Sequence, residues 1–167
     1  RWAEPGNSGE IRVEAERAWL ELWRRHGLPV HLFRLAGIYG PGRNALEQLR
    51  AGTARRIVKP GQVFSRIHVA DIARSLAASI QRPNPGAVYN LADDEPAPPQ
   101  AMVDYAAALL GLSPPPEEDF ATAPMTEFAR SFYAESKRVR NERIKRELGV
   151  ELAYPDYRTG LKALLNV

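Results

Sequence analysis

Three glycines fall within six residues in the stretch Gly37-Ile38-Tyr39-Gly40-Pro41-Gly42, directly after an apolar run that begins at Val30. Two kinds of chemistry fit such a cluster. A glycine-rich loop lets backbone approach a phosphate, with free N–H groups pointing at its oxygens. Gly-Pro-Gly equally serves a tight turn. The dinucleotide-binding order is G-x-G-x-x-G, whereas the order here is G-x-x-G-x-G, and Pro41 removes one donor from any cradle. The position is nevertheless that of ligand sites in open α/β sheets, at the carboxyl end of a strand and just before a helix. Gly37 would let a ligand approach the strand, and Arg43 would sit beside the following helix N-terminus.

A second group is Arg66, His68 and Asp71. A histidine on a short apolar strand suits a hydrogen-bonded structural role as well as proton transfer, and Asp71 would stabilise the start of its helix. Asp93, Asp94 and Glu95 are consecutive acids, which in a loop do not converge on a metal, so a solvated loop is expected. Arg34, in mid-strand, needs a carboxylate or phosphate to offset its desolvation, and a structural ion pair is the simpler solution. Tyr39 reads as a strand-end aromatic with its hydroxyl paired. Lys137, Arg138, Arg140, Arg143, Lys145 and Arg146 crowd one segment, but Glu142 and Glu147 interrupt it and no aromatics interleave. That pattern is an exposed helix face and argues against a nucleic-acid partner.

The elements that must position these residues alternate. Asn7 with Glu10 is a capping-box variant, and Ile11, Ala15, Ala18, Trp19 and Leu22 follow at helical spacing until Gly27 and Pro29. Val30 to Tyr39 reads as one strand covered on both faces. Asn44 with Glu47 opens a short helix ending near Gly52, and residues 56–58 and 62–65 resemble a hairpin around Pro60-Gly61. A helix over 71–81, a strand over 87–91, a helix over 102–110, a proline-rich linker or lid over 111–124 and helices over 137–148 and 158–165 complete the pattern. Alternating helices and strands indicate an α/β protein, but so few strands cannot make a doubly wound sheet of usual width. With Arg1 as the first residue, the expectation is a piece of a larger fold.

At 167 residues, 44% hydrophobic and 26% charged, the chain has the make-up of about one globular domain. It has no cysteine and only three histidines, which excludes disulfides and thiolate zinc sites. No apolar stretch reaches the roughly 18 residues of a membrane span, and the N-terminus lacks a signal region, so a cytoplasmic protein without a membrane partner is expected. A net charge of +3 is only mildly basic, and small phosphorylated ligands would satisfy it.

The phrase RLAGIYGPGR, preceded by HGLPV and followed by SRIHVADIA, AVYNLADDE and KRELG, resembles the second half of the extended short-chain dehydrogenase/reductases, the NAD-dependent epimerase/dehydratase family. The likeness runs in order over nearly the whole chain and is greatest to the atypical bacterial branch. It implies the C-terminal part of a Rossmann-type doubly wound NAD(P)-binding fold plus a small mixed α/β substrate lobe. Residues 1–52 would end the Rossmann half and 53–167 would form the substrate lobe, with no counterpart of the nucleotide-binding first half. The resemblance implies NAD or NADP as cofactor in the intact protein and a nucleotide-sugar-like or related small molecule as substrate. It also implies a missing half or another chain that completes the sheet, and it is compatible with a homo-oligomer.

Aligned through HGLPV, the family's Tyr-x-x-x-Lys pair falls on Ser8 and Arg12, and the Glu that follows it on Glu16. A serine hydroxyl lacks the acidity of the family's tyrosine, whereas Arg12 can still donate hydrogen bonds to a ribose. The resemblance places Leu35, Ala36, Gly37 and Ile38 beside the nicotinamide and Tyr39, Arg43, Arg66 and His68 toward the substrate. Ala70 stands where the family commonly has a second acid. Two functions follow: an epimerase/dehydratase-like oxidoreductase, or an NAD(P)-binding sensor or scaffold without tyrosine-based catalysis.

Overall fold

The computed structural model describes residues 8–165, the side chain of Ser8 excepted. The expected cap at Asn7 lies outside the described residues. In chain order the elements are α1 (Ser8–His26), β1 (Leu32–Leu35), β2 (Gly37–Tyr39), α2 (Ala45–Arg50), β3 (Arg56–Val58), β4 (Arg66–His68), α3 (Val69–Gln81), β5 (Val88–Leu91), α4 (Pro99–Leu110), β6 (Glu117–Asp119), α5 (Glu127–Ser131), α6 (Glu142–Leu148) and α7 (Tyr157–Leu164).

The apolar run from Val30 to Tyr39 is two strands, not one. β1 pairs in parallel with β5, and β2 pairs in parallel with β4. The change of partner takes place between consecutive residues: the Ala36 N–H donates to the Leu91 carbonyl at 3.0 Å and the Gly37 N–H to the Ser65 carbonyl at 3.1 Å. On its other side β4 accepts, at the Arg66 carbonyl, the Asp93 N–H at 2.6 Å. β4 therefore wedges between β2 and the extension of β5. The expectation of a strand covered on both faces fails at β1, where Arg34 and Leu35 are exposed, because β1 has a strand neighbour on one side only among the described residues.

The expected hairpin over 56–65 is also replaced. β3 pairs in parallel with β6, which sets Arg56 beside Glu117 and lets Arg55 hold Glu118, so charge matching favours the distant partner. Phe64 instead exchanges two backbone hydrogen bonds with Ala97, at 2.9 and 3.1 Å. α4 starts earlier than expected because Pro99 suits the first helical turn. Residues 137–141 are not helical. The Ser65 hydroxyl accepts the Val139 N–H and donates to the Lys137 carbonyl, which ties that segment to β4 in an extended course. The Asn44 cap of α2 is present, its side chain accepting the Glu47 N–H at 3.0 Å.

Three buried clusters form among the described residues, the smallest of them around Ile57, Ala123 and Tyr133. Tyr39, Leu46, Ala106, Tyr157 and Leu161 bring α2, α4 and α7 together behind β2. Ile67, Tyr89, Leu91, Ile144 and Leu148 seat α6 on β4 and β5.

Candidate functional site at the strand ends

β1 delivers Leu35, Ala36 and Gly37 to its carboxyl end. Leu35 is 45% exposed, Gly37 is exposed, and Ile38 is half-buried. A Cβ on Gly37 would meet only the Ser65 carbonyl and the Arg66 Cγ, so the outer side of this backbone is open to approach. α1 runs alongside. Arg34 donates to both oxygens of Glu16, from Nε at 2.9 Å and from Nη2 at 2.5 Å, and this bond holds the Glu16 carboxyl below the usual carboxylate range. At the other end of α1 the Trp23 ring lies over Gly86, just before β5. The two contacts make α1 antiparallel to β1. Arg12, on the Glu16 face one turn earlier, thus lies about 6 Å nearer the carboxyl end of β1, level with Ala36.

The glycine loop itself is a closed turn. The Gly40 N–H donates to the Arg43 carbonyl and the Arg43 N–H to the Gly40 carbonyl, each at 3.1 Å. The Asn44 side chain adds a bond to the Gly40 carbonyl at 2.9 Å. Gly42 has a φ of +71°, which favours glycine, and a Cβ on Gly40 would stand 2.6 Å from Val69 Cγ1. With Pro41 lacking an N–H and two other donors engaged within the turn, GIYGPG does not fit a pyrophosphate. Arg43 is exposed beside it.

Behind the strand ends the side chains are buried and polar. His68 accepts the Ala70 N–H at Nδ1 (3.2 Å) and so caps α3; in the neutral ring the proton is then on Nε2, which is buried without a partner. Burial lowers its pKa, with Asp71 opposing. Asp71, fully buried, accepts the N–H groups of Ala153 and Tyr154 at 2.8 and 3.0 Å, so it ties the 153–154 loop to α3 while His68 takes the capping role expected of it. Tyr39 is 4% exposed, packs edge-on against His68 and directs its hydroxyl toward the Asp156 carbonyl at 3.4 Å. Burial, then the nearby charges of Asp93, Asp71 and Asp156, raise the phenol's pKa well above its ordinary value, so Tyr39 stays a neutral phenol near neutrality.

Arg66 is buried and donates from Nη1 to the carbonyls of Phe64 and Ala97, at 3.0 and 3.2 Å. Asp93 overturns the expectation of a solvated acidic loop. It is 1% exposed, neither carboxylate oxygen makes a well-formed hydrogen bond, and burial pushes its pKa up to about 7 against the pull of the Arg66 charge and of the nearby Glu95 and Arg66 backbone N–H groups. The signal was present in the alternation: Tyr89, Leu91 and Asp93 share one face of the strand and its extension, and the first two are fully buried. Asp94 and Glu95 point outward to Lys145 and Arg158. Among the described residues no three His, Cys, Asp or Glu side chains come together to hold a metal.

The structure therefore opens residues 35–38 at one strand end, with the N-terminal part of α1 on the same side. It places Tyr39, Arg66 and His68 behind that end and Arg43 on the adjoining turn. Ser8 opens α1, and its side chain lies outside the described residues.

No family model matches the chain. The protein YeeZ of Escherichia coli K12 is 34% identical to it over 156 residues, 90% of this chain and 49% of YeeZ. The chain spans about half the length of the curated relatives it matches. A conserved protein of unknown function from Silicibacter pomeroyi is 61% identical, with a TM-score of 0.90 over 95% of this chain and 55% of that one. The dTDP-glucose 4,6-dehydratase of Bacillus anthracis, solved in complex with NAD, superposes with a TM-score of 0.70 at 20% identity, covering 91% of this chain and 48% of the enzyme. The UDP-glucose 4-epimerase of Thermotoga maritima, solved with UDP-glucose, gives 0.74 at 17% identity, covering 95% and 52%. The chain is a mixed α/β protein with parallel strand pairs and shares the Rossmann-like fold of these enzymes. No helix among the described residues is long and apolar enough to cross a membrane.

Proposed function

We propose that this chain is the part of a cytoplasmic NAD(P)-dependent epimerase/dehydratase-type oxidoreductase that borders the nicotinamide end of the cofactor and the substrate, a nucleotide-sugar-like or related small molecule. The observation that carries this reading is the approachable backbone from Leu35 to Gly37, beside which the Glu16–Arg34 bond seats α1, the helix that carries Arg12 one turn before Glu16. Strand ends of this kind receive ligands in open α/β sheets, and the fold shared with a dehydratase solved with NAD and an epimerase solved with UDP-glucose supports the assignment. The cofactor, NAD or NADP, would supply reversible hydride uptake. Arg12 would donate charge-assisted hydrogen bonds to its ribose, Gly37 would leave room for the ring, and Arg43 would reach the substrate. Tyr39, Arg66 and His68 would form the floor from behind. The pyrophosphate would be held by another segment or chain, which would also add a strand along the free edge of β1; a second copy of the chain is an alternative occupant of that edge.

A second reading, an NAD(P)-binding sensor or scaffold, is favoured by Ser8 and Arg12 at the resembled Tyr and Lys positions and by the weak acidity of Tyr39. Calorimetry and turnover assays test both. The chain alone is expected to bind NAD and NADP weakly or not at all, and tight stoichiometric binding would overturn the division of labour. In the completed protein, Arg12→Ala should weaken cofactor affinity about tenfold to a hundredfold. Ser8→Ala should barely change turnover of UDP- or dTDP-glucose. Cofactor binding without turnover would select the sensor, whereas a collapse of turnover in Ser8→Ala would make Ser8 catalytic.

A further inference from the structure

Arg66 and Asp93 stand where the strands part. Asp93 donates its backbone N–H to the Arg66 carbonyl, so the two residues are neighbours across the β4 and β5 extensions. Their side chains nonetheless form no hydrogen bond with each other. Arg66 Nη1 instead reaches the Phe64 and Ala97 carbonyls, the two acceptors of the backbone bridge that fastens the loop after β5 to the segment before β4. Asp93 keeps both oxygens unpartnered at 1% exposure. An ionised carboxylate left so beside a guanidinium is a strained arrangement, and a neutral carboxyl is not.

We propose that Arg66 and Asp93 form a proton-operated latch: with Asp93 neutral the guanidinium clamps the Phe64–Ala97 bridge, and when Asp93 releases its proton to solvent the guanidinium turns to the carboxylate and the clamp opens. Neither arrangement leaves a buried charge without a counter-charge. In the open state the Phe64 and Ala97 carbonyls still accept each other's N–H groups, at 2.9 and 3.1 Å in the structure, so the loss of Nη1 strands neither oxygen. In the closed state the neutral carboxyl carries no buried charge. The loop that loosens, its backbone bridge still formed but no longer clamped, is 92–98, which leads directly into α4.

The charged groups around Asp93 set the balance. The Arg66 charge on β4 and the backbone N–H groups of Glu95 and Arg66 favour ionisation, and Asp94 on its own loop disfavours it, although Asp94 is itself paired with Lys145 of α6 and held by Asn141. On β2, the Tyr39 hydroxyl senses the Asp93 charge. From α7, Tyr157 lies under the Arg66 guanidinium, Arg158 is tied to Glu95, and the Asp156 side chain is occupied in capping the helix. His68 and Asp71, at the β4–α3 junction, are engaged with the Ala70 N–H and with the Ala153 and Tyr154 N–H groups, respectively. Arg66 is therefore the cation available to an ionised Asp93 among these neighbours.

Hydrogen exchange of the whole chain, read amide by amide and corrected for the intrinsic pH dependence, tests the latch. Between about pH 5 and about pH 9 the Phe64 and Ala97 amides should lose about tenfold in protection, while the Leu32 and Ala36 amides of the β1–β5 ladder keep theirs. In Asp93→Asn the bridge amides should stay protected throughout. Carbon-detected NMR of the wild-type side chain should show Asp93 titrating near neutrality. An Asp93 that titrates near pH 4 overturns the proposal, as does a bridge whose protection ignores pH, or one that still loosens in Asp93→Asn. The two wild-type readings decide the matter even if that variant does not fold.

Discussion

The two ends of the run from Val30 to Tyr39 have similar residue types and opposite fates. At β1, Leu35 is 45% exposed, Arg34 is held by a partly exposed ion pair, and the neighbouring helix leaves Trp19 and Leu22 in solvent. At β2, a few residues later, Tyr39, Ile67, His68 and Asp71 are all buried. Apolar content does not separate the two; neighbours do. Among the described residues β2 has the strand β4 beside it and α2, α4 and α7 behind it, whereas the only strand beside β1 is β5 and α1 touches it through a partly exposed ion pair. The comparison teaches that the approachable surface is the bend at Leu35 to Gly37, while the glycine loop that draws the eye is folded onto itself.

The closed end should be the more sensitive to charge, and its largest effect should come from pH. Asp93 in the folded chain has its pKa raised to about 7, above the ordinary carboxylate value. Below about pH 4 both folded and unfolded states hold the proton and nothing is lost. As pH rises from about 4 to about 7 the unfolded state gives up its proton first, so the contribution of Asp93 to stability falls by about 4 kcal/mol. His68 acts in the opposite sense: its lowered folded pKa removes stability as pH drops below about 6.5. Denaturant titrations of wild type against Asp93→Asn isolate the carboxyl. The wild type should lose ground relative to the variant as pH rises; a difference that stays flat across the window breaks the assignment of the closed end as charge-sensitive.

A substitution pair sharpens the same contrast. Asp71→Ala leaves the buried N–H groups of Ala153 and Tyr154 without acceptors and should cost about 3 kcal/mol. Glu16→Ala removes a bidentate ion pair at the open end, yet the Arg34 guanidinium remains reachable by water, and the loss should stay under about 1 kcal/mol. Urea unfolding of both variants at one pH makes the comparison, and equal losses would mean that the two ends are equally tied down.

Much of this arrangement was readable from residues whose signals are local. The Asn44 cap, the helix end at Gly27, the strand through Tyr89 and the structural pairing of Arg34 all follow from side chains acting on their near neighbours or from one forced partner. What was not readable depends on contacts distant in sequence. Nothing near Ala36 signals that β4 will intrude and divide the run. Nothing near Arg56 names Glu117 as its strand neighbour in place of a hairpin. Asp93 escapes a reading of loop composition because its two acidic neighbours dominate that composition, while the strand alternation that buries it runs on past the last apolar residue. Of the candidate site, the strand end was placed by position and resemblance, but the level of Arg12 beside it required the Glu16–Arg34 bond and the packing of Trp23 on Gly86.

The smallest effect on stability should come from Leu35, and it is the one that bears on how the open edge is used. Leu35 is the last residue of β1, on whose outer side no strand pairs among the described residues, and its side chain is half in water. Replacing it with lysine removes little buried area, so the unfolding free energy should shift by no more than about 0.5 kcal/mol. A charged side chain on an exposed edge nevertheless opposes the addition of another strand. The wild-type chain is therefore expected to self-associate in light scattering as concentration rises, and Leu35→Lys to do so markedly less at the same stability. A wild-type chain that stays monomeric, or a Leu35→Lys variant that associates as strongly, would show that the β1 edge is not the surface through which a further strand is received. Equal loss of association in Asp71→Ala would instead trace self-association to partial unfolding of the closed end, because that substitution leaves the β1 edge chemically unchanged.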